Sequence, residues 1–452
     1  MDKSQIVKYY QDPDVRLRLA EYCGFCPPEH PYFSSTYIVG SGKSLLDLGY
    51  ERSYHCFNND NFERILDYGL DIFRSKMDQE NTLFVFDVKY FNKSSPALVY
   101  YNPDYCFLKL EPLYQLICET LFEFGIEFLT LMTEQGYNFV FQVHRSSPQF
   151  NSLCKLGELP SSLPEKYDGK NRTGRIVPLD LALAFEGMGR LQEYLCHRIM
   201  QRWDFSYLPL YFSDIIPTDS GSGFEGAALD ITAFADPLYM RDVRLPFSTH
   251  QKGSFVQMVL PRNALHLDFL LSSRRDFLNS SFLARQLSCN IPYSHEGIGI
   301  LIQEYKESKL FALHQEWDSV EQDPPVYWDR GYLAFDPENL PPCVAQSLEF
   351  PHPLLLQPTH LLNLTRALLF EGWHAKHIAG LVRSKYETTE VLKDGWVLYD
   401  PSSRADFWIR IFSCLIQDEL DNFSDYSCIS LQNRGLCPKP WCGINLSRLI
   451  TG

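Results

Sequence analysis

The sequence has no uninterrupted apolar run of about 18 residues, the length that a helix needs to cross the hydrocarbon core of a bilayer. We therefore predict no membrane span. It also lacks internal repeats and low-complexity tracts, so a repeat array or a fibrous chain is not expected. The opening Met1-Asp2-Lys3-Ser4-Gln5 carries no apolar signal segment, and we expect no secretory signal.

Positive charge is in deficit. The 41 Lys and Arg residues are outnumbered by 56 Asp and Glu, which gives a net charge of −15 and a pI near 5.3. Such a field repels polyanions, so binding of nucleic acid would require a local basic patch. Thirteen cysteines without a signal segment indicate a reducing compartment, where most thiols stay free. We expect a cytoplasmic protein, or a nuclear one in a eukaryote.

The length of 452 residues exceeds what one hydrophobic core usually holds, and it predicts two or three domains. Hydrophobic residues at 45 % and charged residues at 21 % are typical of globular chains. The pattern of strand-like and helical segments predicts an α/β (α+β) protein, and Pro-rich stretches near 323–343 mark a domain boundary. We expect a helical N-terminal region at 1–80, a mixed-sheet domain at 81–262, a helical linker at 263–338 and an α-rich cysteine module at 339–452.

Four apolar, β-prone runs predict the strands of the mixed sheet. They cover 82–87, 126–132, 139–143 and 227–232, and the middle two are separated by a Gly-bearing turn that predicts a hairpin. An amphipathic helix is predicted at 179–202.

Two of these strands carry an acid near their end, Asp87 and Asp230. Two carboxylates brought together from distant parts of a chain are a ligand set that Mg²⁺ or Mn²⁺ uses in phosphoryl transfer. Acids at strand ends are more often simply solvated, so the pair alone predicts little.

A turn-prone stretch after the second acid concentrates cations and hydrogen-bond donors. It contains Arg244, Ser248, His250 and Lys252. Such a stretch is able to hold a triphosphate by charge-assisted hydrogen bonds. The alternative is a solvated basic loop.

The order of these segments resembles the three motifs of archaeo-eukaryotic primases (the primase-polymerase superfamily), over about residues 80–260. Asp87-Val88-Lys89 corresponds to the first motif, 133–138 to the second and Leu229-Asp230-Ile231 to the third. The stretch 244–252 is similar to the family's nucleotide-binding loop, and it is the most specific of the matches.

The resemblance implies a primase-type fold and a DNA primase/polymerase-like nucleotidyltransferase that makes or extends primers. It implies catalytic Asp87 and Asp230 with bound Mg²⁺ or Mn²⁺. The partners would be nucleoside triphosphates, a single-stranded DNA or RNA template, and replication proteins. The implied nucleotide-binding residues are Asn138, Arg244, Ser248, His250 and Lys252.

The chain departs from the family in its first two motifs. Lys89 takes the place of a second acid, and an ammonium group cannot coordinate a metal. Glu134 and Gln135 replace basic residues, and Asn138 replaces a histidine that meets the nucleotide phosphates.

Two hypotheses follow for the site. In the first, Lys89 pairs with Asp87 and Asp230, its charge stands in for that of a metal ion, and catalysis is absent. In the second, one metal remains on the two acids and Lys89 turns away or acts on phosphate. The alternative function is therefore a catalytically inactive primase-fold protein that binds nucleic acid or acts as a scaffold in replication or repair.

A second set of candidate ligands is formed by cysteines. Cys428, Cys437 and Cys442 lie in a turn-rich C-terminal segment, and Cys343 follows two prolines. Four thiols suit a tetrahedral zinc or a 4Fe–4S cluster, and free buried cysteines are the alternative. Cys414 is a further candidate for one of the four places.

The C-terminal module is similar to the iron–sulfur domain of the primase large subunit, which favours the cluster over zinc. Basic residues around Trp373 were predicted to form a template surface. They are Lys376, Arg383, Arg404, Arg410, Arg434 and Lys439.

Overall fold

The architecture was examined in a computed structural model of the chain. The structure describes residues 2–25, 32–159, 163–171, 174–213, 215–216, 224–235, 242–261, 267–351, 357–388, 401–421, 423 and 425–446. It is an α+β protein, as predicted.

The N-terminal region contains helices and also a sheet. Its helices are α1 (Lys3–Tyr10), α2 (Pro13–Tyr22), α3 (Ser44–Asp47) and α4 (Phe62–Asp67). Its strands are β1 (Ile38–Ser41), β2 (Tyr54–Phe57) and β3 (Asp71–Arg74). The prediction of a helical region was therefore incomplete, because strands of four residues show too little alternation to be recognised.

The central feature is a six-stranded mixed sheet. It is built from β4 (Asn81–Asn92), β5 (Leu129–Met132), β6 (Gly136–His144), β7 (Leu210–Tyr211), β8 (Glu225–Asp230) and β12 (Met258–Leu260), in the spatial order β12-β5-β6-β4-β8-β7. The predicted hairpin is confirmed as the antiparallel pair of β5 and β6. The long β4 lies at the centre, since it pairs with β6 on one side and β8 on the other.

Smaller strands lie beside this sheet. β9 (Val243–Arg244) joins β3, giving a four-stranded sheet in the order β2-β1-β3-β9. β10 (Thr249–His250) and β11 (Phe255–Val256) form a short hairpin. The predicted nucleotide loop at 244–252 therefore runs from the four-stranded sheet to the hairpin of β10 and β11.

Helices cover the six-stranded sheet. They are α5 (Leu98–Tyr101), α6 (Pro103–Glu123), α7 (Pro148–Leu156), α8 (Pro164–Tyr167) and α9 (Leu179–Arg202). The predicted helix at 179–202 is confirmed with both of its ends. α9 packs against β4 and α6, and most of its residues are buried, including Gln192 and Glu193.

The rest of the described chain is helical. It comprises α10 (Leu267–Ser273), α11 (Phe277–Gln286), α12 (His295–Lys306), α13 (Lys309–Ser319), α14 (Pro342–Glu349), α15 (Pro358–Phe370), α16 (Ala375–Glu387), α17 (Pro401–Gln417) and α18 (Cys428–Asn433). α12 packs against α7 and α9, and α13 packs against α17. Buried apolar side chains form one continuous cluster from Ile6 to Leu446. No helix in the described ranges is both long and apolar enough to cross a membrane.

Candidate functional site

The two predicted acids lie side by side in the sheet. Asp87 of β4 is the register partner of Asp230 in β8 and of Asn138 in β6. Directly opposed residues of neighbouring strands project from the same face, so the three side chains form one row across the sheet. Two adjacent carboxylates repel each other unless a cation lies between them.

Lys89 supplies that cation. It follows Asp87 by two residues on β4 and therefore shares its face. Its Nζ lies 2.8 Å from Asp87 Oδ2 and 2.5 Å from Asp230 Oδ2. The Lys89 side chain is 28 % exposed, and those of Asp87 and Asp230 are 18 % and 7 % exposed. The ammonium thus bridges the two carboxylates, and all three groups are largely shielded from solvent.

The outer carboxylate oxygens are also occupied by donors. The Thr232 backbone N–H donates to Asp230 Oδ1 at 2.9 Å, and the Thr232 hydroxyl donates to the same atom. With its amide turned to donate, Asn138 lies 2.9 Å from Asp87 Oδ1. Every oxygen of the pair therefore has a protein donor. Mg²⁺ and Mn²⁺ need carboxylate oxygens that face the ion and no ammonium between them, so these residues as arranged do not fit a divalent ion.

A second polar pair, Glu134 and His250, lies across the cavity from the acids. The Gly253 N–H donates to His250 Nδ1 at 2.7 Å, so the proton of the neutral ring is on Nε2. Nε2 donates to Glu134 Oε2 at 2.6 Å, and the Tyr100 hydroxyl donates to the other oxygen. The His250 ring also stacks on Phe255, with centroids 4.5 Å apart.

This arrangement keeps Glu134 charged. Burial raises the pKa of Glu134, but the hydrogen bond from His250 and the positive charges of Arg244 and Lys252 outweigh it, and the pKa is lowered. Glu134 thus accepts the hydrogen bond of His250, the histidine of the predicted nucleotide loop. A phosphate group would have to displace Glu134 to reach His250 Nε2.

The other loop residues divide between the cavity and the interior. Arg244 lines the cavity, but it bonds to Asp71 Oδ2 at 3.0 Å and stacks on Phe73. Ser248 is fully buried, and its hydroxyl accepts from the Ile72 N–H at 2.7 Å. Lys252 is exposed beside the Tyr100 ring. The structure does not bring Ser248 or Lys252 to the cavity wall.

The cavity has a volume of about 530 Å³. Its described lining includes four carboxylates and four cationic side chains, so its formal charges cancel and it has no surplus positive field for a triphosphate. These residues are Asp87, Glu134, Asp230, Asp242, Lys76, Lys89, Lys93 and Arg244. Lys76, Lys93 and Asp242 were not predicted from the sequence, which gave no signal that they lie near the acids.

Three of the predicted cysteines, Cys428, Cys437 and Cys442, lie near the fourth, Cys343. Burial, followed by the nearby thiols of Cys437, Cys428 and Cys442, raises the pKa of Cys343 to about 12. Cys428 and Cys442 each lie 3.6 Å from the carbonyl oxygen of Ile444, so their sulfurs are no farther apart than those two distances combined.

A buried tyrosine supports a ligand at this site. Tyr426 is 1 % exposed, and burial, followed by the nearby Cys343, raises its pKa. Its hydroxyl has no hydrogen-bond partner among the described residues. An unsatisfied buried hydroxyl is costly, and a thiolate or sulfide acceptor would satisfy it. The four thiols therefore fit a bound metal or cluster. When bound, it would cross-link α14 to the C-terminal segment.

The distances between the cysteine sulfurs bear on which metal or cluster they are able to hold. In the described ranges, the one group of three or more His, Cys, Asp or Glu ligand atoms mutually within 4.8 Å is Glu193, His314 and Cys414. Zinc holds thiolates at 2.3 Å, which places sulfurs about 3.8 Å apart. No three of the four cysteine sulfurs, all of them in described residues, lie mutually within 4.8 Å, which is wider than the spacing of thiolates on one zinc ion. Cys414 lies in α17, within that other group and not among the four thiols.

No protein-family model, curated protein or solved structure matches this chain. Its resemblance to primases therefore rests on the sequence motifs alone.

The predicted template surface is not continuous. Arg434 is buried and bonds to Asp425 Oδ2 at 3.1 Å, and Arg410 is largely enclosed and pairs with Glu193. Arg383 pairs with Glu387. Arg434 and Arg383 thus pair within the helical module, and Arg410 joins it to α9. Sequence alone did not distinguish them from surface residues, since an arginine that is paired in the interior leaves no local pattern.

Proposed function

We propose that this chain is a catalytically silent primase-like protein that binds single-stranded nucleic acid through its C-terminal cysteine module. The observation that carries the loss of catalysis is the Lys89 ammonium at 2.8 and 2.5 Å from the two acids. Transfer of a nucleotidyl group depends chiefly on metal ions that neutralise the phosphates. A fixed ammonium group neutralises the acids but does not bridge them to a phosphate.

Charge is reversed on both sides of the cavity, which supports the same proposal. Lys89 stands where the resemblance implies an acid, and Glu134 stands where it implies a base. Each reversed residue pairs with a residue that keeps the family type: Lys89 with Asp87 and Asp230, and Glu134 with His250. The site thereby satisfies its own charges without metal or triphosphate.

The binding surface is proposed beside the four thiols. Trp441 precedes Cys442, is 97 % exposed and has a positive φ of 67°, which is unusual for a non-glycine residue. Ile429, next to Cys428, is also exposed. An indole held out by the backbone offers a face for base stacking, worth about 1–3 kcal/mol per base. Binding that relies on stacking should depend only weakly on salt.

Primer synthesis and extension on a single-stranded template test the loss of catalysis. With Mg²⁺ or Mn²⁺, we expect no product from the natural chain. The triple change Lys89→Asp, Glu134→Arg and Asn138→His restores the family pattern, and we expect it to gain Mn²⁺-dependent incorporation. Product from the natural chain that is lost in Asp87→Asn would overturn the proposal in favour of an active nucleotidyltransferase.

Fluorescence anisotropy with a labelled single strand tests the binding surface. Trp441→Ala is expected to weaken binding about 5- to 100-fold, in line with the loss of one stacked base. Tyr327→Ala is a matched control, because Tyr327 is also an exposed aromatic residue but lies outside the cysteine module. Equal affinity of all three proteins would contradict the proposed surface.

A further inference from the structure

A second donor set lies in the helical core, away from both sites described above. Glu193 of α9, His314 of α13 and Cys414 of α17 each offer one ligand atom, and these atoms lie within 4.8 Å of one another. All three side chains are buried, with at most 1 % of each residue exposed. Carboxylate, imidazole and thiolate are the three ligand types that zinc binds in proteins.

The histidine is already oriented as a metal ligand would be. Arg410 Nη1 lies 2.8 Å from His314 Nε2, and because a guanidinium only donates, Nε2 must carry a lone pair. The proton is therefore on Nδ1, which lies 2.6 Å from the Tyr305 hydroxyl oxygen and donates to it. A second partner that fixes the far ring nitrogen is the usual support of a metal-binding histidine.

The carboxylate has spare capacity. Glu193 Oε2 lies 3.1 Å from His314 Nε2 and pairs with Arg410, but Oε1 is buried and has no partner among the described residues. A buried oxygen without a partner costs about 1–3 kcal/mol. The Glu193 carboxylate thus keeps one unpartnered oxygen in a group that also offers an imidazole lone pair and a thiol.

Arg410 is the cation that neutralises Glu193, and it also borders a cavity into which its guanidinium is able to turn. It lines a cavity of about 520 Å³ between α9, α13, α16 and α17. Glu186, Asp318 and Asp406 also line this cavity. Asp318 is already held by Arg190 at 2.6 Å, whereas the Glu186 carboxyl, which accepts from the Tyr167 hydroxyl, is able to receive the guanidinium if it turns away from Glu193.

We infer that Glu193, His314 and Cys414 form a binding site for one zinc-class ion, and that Arg410 is its placeholder. When the ion binds, a metal–sulfur bond forms and the Cys414 thiol loses its proton to solvent through the cavity. Arg410 then turns away from Glu193 and toward Glu186. The ion's two positive charges are then balanced by one carboxylate and one thiolate. Three protein ligands leave the fourth position of a tetrahedral ion to water.

Co²⁺ titration of the full-length protein tests the site, with thiolate-to-metal absorption as the readout. Cys414→Ser and His314→Gln are each expected to bind one ion fewer than the natural chain. Cys196→Ser is the matched control, because Cys196 is an equally buried cysteine of α9 outside the donor set. All four proteins keep the four-thiol site, so that site contributes equally to each count of bound Co²⁺. The same count in all four proteins would overturn the inference.

A gain-of-binding variant covers the case in which a ligand variant fails to fold. Arg410→Met removes the placeholder, so we expect Co²⁺ to bind at least tenfold more tightly and to raise the melting temperature more than in the natural chain. The gain should disappear in Arg410→Met with Cys414→Ser. An unchanged affinity in Arg410→Met would contradict the site.

Discussion

Replacing Lys89 with methionine would remove the ammonium between Asp87 and Asp230 and keep most of the side chain's length. Two carboxylates in register on adjacent strands would then face each other without a cation. Removing one partner of a buried ion pair costs about 3–5 kcal/mol. Lys89 is 28 % exposed, and water would screen part of the repulsion, so we expect a loss of about 2–4 kcal/mol.

For a domain of about 150–250 residues each kcal/mol corresponds to about 2–4 °C, so the melting temperature should fall by roughly 4–16 °C. The assay is thermal unfolding followed by circular dichroism, with a chelator present. Lys93→Met is the matched control, because Lys93 lines the same cavity but is exposed and lies over the Phe91 ring. A melting temperature of Lys89→Met equal to that of Lys93→Met would refute the role we give to Lys89.

Other predictions concern stability and the thiol site. Glu134→Gln should lower the free energy of unfolding by about 1.5–3 kcal/mol at pH 7. Because the pKa of Glu134 is lowered in the folded protein, urea unfolding should show this difference shrinking as the pH falls below the pKa that Glu134 has in the unfolded chain. Burial raises the pKa of Glu186 to about 7, so stability should decline by on the order of 2–3 kcal/mol between about pH 4.5 and 7, and Glu186→Gln should abolish that decline. An unchanged pH profile in either variant would contradict these assignments. Anaerobic purification should give a protein with visible iron–sulfur absorption that Cys343→Ser lacks and Cys196→Ser keeps, and equal iron content in both would exclude the site.

The sequence predicted the central part of the fold because its signals there are local and strong. The strands that carry Asp87 and Asp230 and the hairpin between them are apolar runs bounded by turn residues, and α9 is a long periodic segment. The pairing of Lys89 with both acids was one of two hypotheses for the site, and the structure confirms the pairing, with Lys89 and Asp87 on the same face of β4.

Other features depend on contacts between distant parts of the chain. The Glu134–His250 pair joins residues 116 positions apart, and although Glu134 was noted as a replacement, its partner had no sequence signal. The inward orientation of Ser248 depends on Ile72, on a strand that was too short to predict. The grouping of Glu193, His314 and Cys414 requires three helices to pack, and no spacing in the sequence encodes that packing.

The central claim is that Lys89 occupies the place of a metal ion, and Mn²⁺ binding in the presence of a nucleoside triphosphate tests it most directly. Electron paramagnetic resonance would count the bound Mn²⁺ in the natural chain, in Asp87→Asn and in Lys89→Asp. We predict the same count in the natural chain and in Asp87→Asn, and at least one more ion in Lys89→Asp. An ion that the natural chain binds and Asp87→Asn loses would contradict the account.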